Sequence, residues 1–107
     1  MLKLKDSKYG LHGIIQAIDG KGEELVSILL EAAELVSASQ GCHLYVVSSD
    51  ALDSNKIAIT EVWDSKEDHD NSLKIEGVKE LISRAMPLIE EQPEKGMELD
   101  VFGGAGL

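Results

Sequence analysis

The sequence predicts an α+β protein of the ferredoxin-like class, a βαββαβ chain with one four-stranded antiparallel sheet. Three observations carry this expectation. Strand-like alternation over residues 9–18 gives way to helical periodicity from Glu23. Two alternating runs, 42–49 and 56–63, are separated only by a short polar segment and must therefore pair as an antiparallel hairpin. A second helical region then leads to a final alternating run beginning at Met97.

In the first strand Tyr9, Leu11, Ile15 and Ala17 point one way, and His12, Ile14, Gln16 and Ile18 the other. Both faces are thus at least partly apolar. Residues 19–22 (DGKG) break the strand. The first helix presents Leu25, Ile28, Leu29, Ala32, Leu35 and Val36 as one stripe, with Glu23, Glu24, Glu31 and Glu34 largely outside it. Gly41 suits the left-handed residue that ends a helix.

The second strand puts Leu44 and Val46 on one face and His43, Tyr45 and Val47 on the other; residues 50–55 (DALDSN) read as a turn. In the third strand Ile57, Ile59, Glu61 and Trp63 share a face opposite Ala58, Thr60 and Val62. Ser65, followed three residues later by Asp68, reads as a helix N-cap opening a short acidic helix to about residue 74. Val78, Leu81, Ile82, Ala85 and Ile89 form the stripe of a longer helix. Pro87 must kink or end it, because it has no N–H for the carbonyl of Ser83. Residues 90–96 form a loop, and Met97, Leu99 and Val101 alternate in the last strand.

The 107 residues make one domain, with residues 1–7 expected to be flexible and residues 103–107 a glycine-rich tail. Aromatics are only 4% of the chain, so aliphatic side chains must build the core. A net charge of −10 opposes nucleic acid and anionic membranes as partners. A single cysteine, Cys42, excludes an internal disulfide and a thiolate metal cage, and no two histidines have metal-ligand spacing. With neither a signal-peptide pattern nor a membrane-length apolar run, a cytoplasmic protein is expected.

Helices cover only one face of such a sheet, yet strands one to three carry apolar groups on both. A second copy packed sheet against sheet is the simplest cover, so a symmetric homodimer is expected.

Residues 61–63 (EVW), His69, Ser72-Leu73 and residues 81–89 (LISRAMPLI) resemble the antibiotic biosynthesis monooxygenase family, and more closely its quinol monooxygenase branch. Residues 22–26 (GEELV) and the ending 101–107 (VFGGAGL) are similar to the same branch. The resemblance implies a dimeric α/β barrel of two ferredoxin-like subunits, each with a pocket between sheet and helices. It further implies oxidation of a small aromatic hydroquinone or phenol with dioxygen, without metal or flavin. By resemblance Trp63 lines that pocket and His69 belongs to the helix that presents a side chain to it. Haem-degrading relatives place a histidine ligand where this chain has Ser72 and Leu73, so haem ligation is not expected.

Such an oxidation needs a group that takes a phenolic proton near neutral pH, and histidine is the natural one. His69 and His12 are the catalytic candidates. Trp63, Glu61, Tyr45 and Ile59 are the expected pocket residues, with Glu61 orienting the pocket or pairing with Arg84, the only arginine. Tyr45 would donate a hydrogen bond to a substrate oxygen or fill the dimer interface. The alternative function is a non-catalytic dimeric module that binds a small apolar ligand.

Overall fold

The computed structural model describes residues 7–90 and 96–107. The elements run β1 (Lys8–Gln16), α1 (Gly22–Ser37), β2 (Cys42–Asp50), β3 (Asp53–Trp63), α2 (Lys66–Ser72), α3 (Glu76–Ala85), a 3-10 turn (Met86–Leu88) and β4 (Met97–Val101). The strands form one antiparallel sheet in the order β2-β3-β1-β4, the ferredoxin-like arrangement. The helices pack on one face of it, and the main core lies there, centred on Leu25, Ile28, Ile57 and Leu81.

Register fixes which side chains meet. Tyr9 pairs with Trp63, Leu11 with Glu61 and Ile15 with Ile57, and Glu61 pairs in turn with Tyr45 of β2. Directly opposed residues share a sheet face, so Tyr9, Ile15, Tyr45, Ile59, Glu61 and Trp63 all look toward the helices. The opposite face carries His12, Ile14, Val46, Thr60, Met97 and Leu99, and Ile14, Val46, Met97 and Leu99 are exposed there.

Local chemistry explains the joints. α1 receives no cap from its own preceding side chain; the Asn55 side-chain oxygen accepts from the Gly22 N–H at 3.0 Å, reaching across from β3. A Cβ on Gly22 would collide with the Ser54 carbonyl, so this approach needs glycine. Ser65 caps α2 as expected, its hydroxyl accepting from the Asp68 N–H at 3.1 Å. Pro87 ends α3, which tightens into the 3-10 turn after Ala85.

Three expectations are corrected. The β2–β3 hairpin is longer than the sequence suggests: Asp50 pairs with Asp53, leaving only Ala51 and Leu52 between the strands. Asp50 and Asp53 accept from the N–H groups of Leu52 and Asn55, at 2.8 and 2.9 Å, so the polar tip organises itself without burial. Gly41 has a positive φ of 84°, but it lies beyond the end of α1 at Ser37 and turns the chain into β2, where its carbonyl accepts from the Asp64 N–H. β1 stops at Gln16, and Ala17 forms an isolated bridge with Ile89. Of the 90–96 loop, residues 91–95 lie outside the described residues, as do residues 1–6 of the N-terminal segment. Among the described residues no helix is long and apolar enough to cross a membrane.

Candidate active site

A cavity of about 220 Å³ lies between the sheet and the helices. α1 lines it with Leu25, Ile28 and Ala32, and α3 with Val78, Leu81 and Ala85. Ile15 and Ile59 form part of the sheet wall. Leu73, Ile82 and Met86 also line it while remaining exposed, which marks them as its mouth. Its polar side chains, Tyr45, Glu61, His69 and Ser72, gather at one end: Tyr45 faces Glu61 across the β2–β3 ladder, and Ser72 follows His69 by one helical turn.

At that end the Glu61 carboxylate accepts from the Trp63 indole N–H at 3.0 Å and lies 3.8 Å from His69 Nε2. The other ring nitrogen of His69, Nδ1, is 2.9 Å from Asp70 Oδ1. The His69 ring stands edge-on to Trp63, with centroids 5.9 Å apart, and is tilted against Tyr9 at 5.7 Å. Side-chain exposure is 11% for Glu61, 13% for His69 and 50% for Asp70, so the set runs from the cavity to the solvent.

Burial pushes the Glu61 carboxyl above the ordinary carboxylate range, opposed by the Trp63 N–H and by His69, both of which favour the charged form. Burial, reinforced by the neighbouring Glu61 charge, also pushes the Tyr45 phenol up. Tyr45 therefore stays protonated, able to donate a hydrogen bond into the cavity. The Tyr9 phenol is raised too, by burial and by donating to Glu98 at 2.9 Å. A carboxyl with a raised pKa beside a histidine, among the polar side chains of an otherwise apolar cavity, is an arrangement suited to moving a proton.

Of the candidates read from the sequence, His69, Glu61, Tyr45 and Ile59 come together at the cavity. Trp63 does not line it: fully buried, it packs with Val36 and Val78 and reaches the site through its hydrogen bond to Glu61. His12 is on the opposite sheet face, where Nδ1 lies 3.0 Å from Thr60 Oγ1, and the sheet separates it from the cavity. Glu61 does not pair with Arg84, which instead reaches Glu31 of α1 at 3.5 Å on the surface. Sequence reading missed Tyr9 and Asp70 as neighbours of His69. Tyr9's place on the strand face shared with Ile15 was the available signal; Asp70 offered none beyond adjacency. Among the described residues no group of three or more metal-binding side chains converges.

Fold and site together define a class: a small ferredoxin-like protein whose apolar cavity, between sheet and helices, closes on a histidine–carboxylate pair. The chain belongs to the antibiotic biosynthesis monooxygenase family, whose model matches residues 9–84. It is similar to a crystal structure from Chloroflexus aurantiacus J-10-fl, provisionally named an antibiotic biosynthesis monooxygenase. The identity there is 41% over 92% of this chain and 96% of that one, with a TM-score of 0.82. A protein from Caulobacter crescentus CB15, provisionally given the same name, shares the fold at 17% identity, 89% and 90% coverage and a TM-score of 0.80. A conserved protein from Methanosarcina mazei Go1 does so at 14% identity, 92% and 96% coverage and 0.80. No curated protein matches the chain.

Proposed function

We propose that this protein oxidises a small aromatic hydroquinone or phenol with dioxygen inside the cavity, drawing every electron from the substrate. The observation that carries the reading is the cavity's one-ended polarity: apolar walls closing on Glu61, His69 and Tyr45. An engineered cavity of roughly 150 Å³ takes up benzene, so about 220 Å³ accommodates one ring with a few further carbons.

In the proposed reaction His69 accepts a phenolic proton, and Tyr45 donates a hydrogen bond to a ring oxygen. The electron-rich phenolate passes one electron to dioxygen, and the resulting radical pair combines to form a carbon–oxygen bond. Loss of water leaves a hydroxylated quinone from a hydroquinone, or a quinone from a phenol. One oxygen atom enters the product and the other becomes water, reduced by the electrons of the quinol and of the broken C–H bond. The proton held by His69 returns to that departing oxygen. Apolar walls keep water away from the radical pair.

We also propose that two copies pack sheet against sheet. Ile14, Val46, Met97 and Leu99 form an exposed apolar patch on the helix-free face, and a second copy covers it by symmetry. Light scattering at micromolar concentration is expected to give twice the chain mass, and Ile14→Lys to give one chain mass.

Oxygen uptake with a panel of alkyl-substituted hydroquinones tests the reaction, the expected result being uptake that His69→Ala slows about 100-fold. A folded protein that consumes no oxygen above the uncatalysed rate, yet binds the same compounds by calorimetry, would instead be a ligand-binding module.

A further inference from the structure

We infer that Asp70 is a positioning residue for His69, fixing which ring nitrogen remains free to accept a proton from the cavity's occupant. The role presupposes that the cavity handles a proton, as proposed above. The two nitrogens of His69 face different surroundings: Nε2 looks toward Glu61 at 3.8 Å, and Nδ1 toward Asp70 at 2.9 Å. An ionised carboxylate only accepts hydrogen bonds, so the close Asp70 contact requires a hydrogen on Nδ1. In the neutral ring this leaves the lone pair on Nε2, the nitrogen on the side of Glu61, which lines the cavity.

Two carboxyl groups compete for the single imidazole hydrogen, and a win by Glu61 would turn His69 from a base into a donor. Distance favours Asp70 by nearly 1 Å. So does solvation: Asp70 is half exposed to water, whereas burial drives Glu61 toward its neutral form. The remaining groups around the ring do not interfere. Tyr9, from β1, has its hydroxyl committed to Glu98, and Trp63, from β3, donates to Glu61. The proton enters and leaves at Nε2 while Nδ1–H stays on Asp70, so the ring needs no tautomer exchange between turnovers. The arrangement has the logic of a triad's carboxylate, which orients an imidazole and stabilises its charged form without itself reacting.

The test is imidazole nitrogen NMR of histidine-labelled wild-type protein and the Asp70→Ala variant, with His69→Gln used to assign the signal. The wild-type His69 is expected to be protonated on Nδ1 and bare on Nε2 when neutral. Asp70→Ala is expected to shift the hydrogen to Nε2, and Asp70→Glu to restore much of the wild-type pattern. The His12 and His43 signals should stay fixed and serve as internal controls. In oxygen uptake, Asp70→Ala is expected to lower kcat about tenfold with KM within about twofold, below the range of removing a general base itself. A wild-type Nε2–H tautomer, or an unchanged tautomer in Asp70→Ala, overturns the role even if kcat falls. A tautomer shift in a protein that oxidises nothing leaves Asp70's role standing and removes the oxidation reading instead.

Discussion

Two histidine–carboxylate pairs in this molecule use the same functional groups in opposite surroundings. His43 and Asp64 meet at the surface, with Nε2 and Oδ1 2.6 Å apart and Lys8 a further 3.8 Å from the same oxygen. His69 and Glu61 meet at the cavity across a longer 3.8 Å. The hydrogen bond from His43 holds the Asp64 carboxyl below its ordinary range, while burial holds Glu61 above its own. The shorter contact is therefore the chemically quieter one. Closeness alone makes a salt bridge; withdrawal from water makes a group whose proton is poised.

The largest expected effect comes from removing the wall behind the cavity pair. Trp63→Ala should destabilise the fold by about 3–5 kcal/mol in urea denaturation, the usual cost of deleting a large buried aromatic. Next, His69→Ala should lower kcat for hydroquinone oxidation by about 100-fold, within the range for loss of a general base. His43→Ala should leave kcat unchanged; a matching loss there would erase the distinction between the pairs.

The smallest effects, and the most diagnostic, are on the pH dependence of stability. Glu61 is raised in the fold, so native Glu61 disfavours folding once the unfolded carboxyl ionises. Glu61→Gln, which can still accept from Trp63, should therefore gain stability over wild type as pH rises through and above the ordinary carboxylate range. Below that range the gain should vanish. Asp64 is lowered, so its contribution is present above the ordinary carboxylate range and lost as pH falls through it toward the folded value. Asp64→Asn should thus show the opposite trend, a deficit at neutral pH that disappears in acid. Thermal melts from pH 3 to 8 read both, and parallel curves would show that the two carboxyls share one environment.

Much of the scaffold was legible because period and punctuation agree. Alternation grouped Ile57, Ile59, Glu61 and Trp63 on one face of β3, Ser65 marked the start of α2, and Pro87 marked the end of α3. The hairpin tip was not legible, because its strands continue through exposed polar residues where no burial imposes a pattern. Alternation also says which residues share a face but not which face the helices cover, so His12 stood as a candidate until tertiary packing assigned it to the open side. α2 has only seven residues, too few for periodicity to fix an inner face, and Glu67, Asp68 and Asp70 around His69 suggest a solvated helix. The Arg84–Glu31 pair joins positions 53 residues apart, beyond any local pattern. Depth was invisible as well: Trp63 shares the face of Glu61 yet packs behind the cavity rather than in it.

That last feature gives the molecule a built-in optical probe. Trp63 is the sole tryptophan, its N–H is tied to Glu61, and its ring meets the His69 edge. Indole emission follows the local electric field, and here the Glu61 carboxylate accepts from the indole N–H while the His69 ring stands against the indole. The intrinsic fluorescence of the unlabelled protein should therefore report the charge state of the Glu61–His69 pair, and any occupant that alters it, before a single turnover.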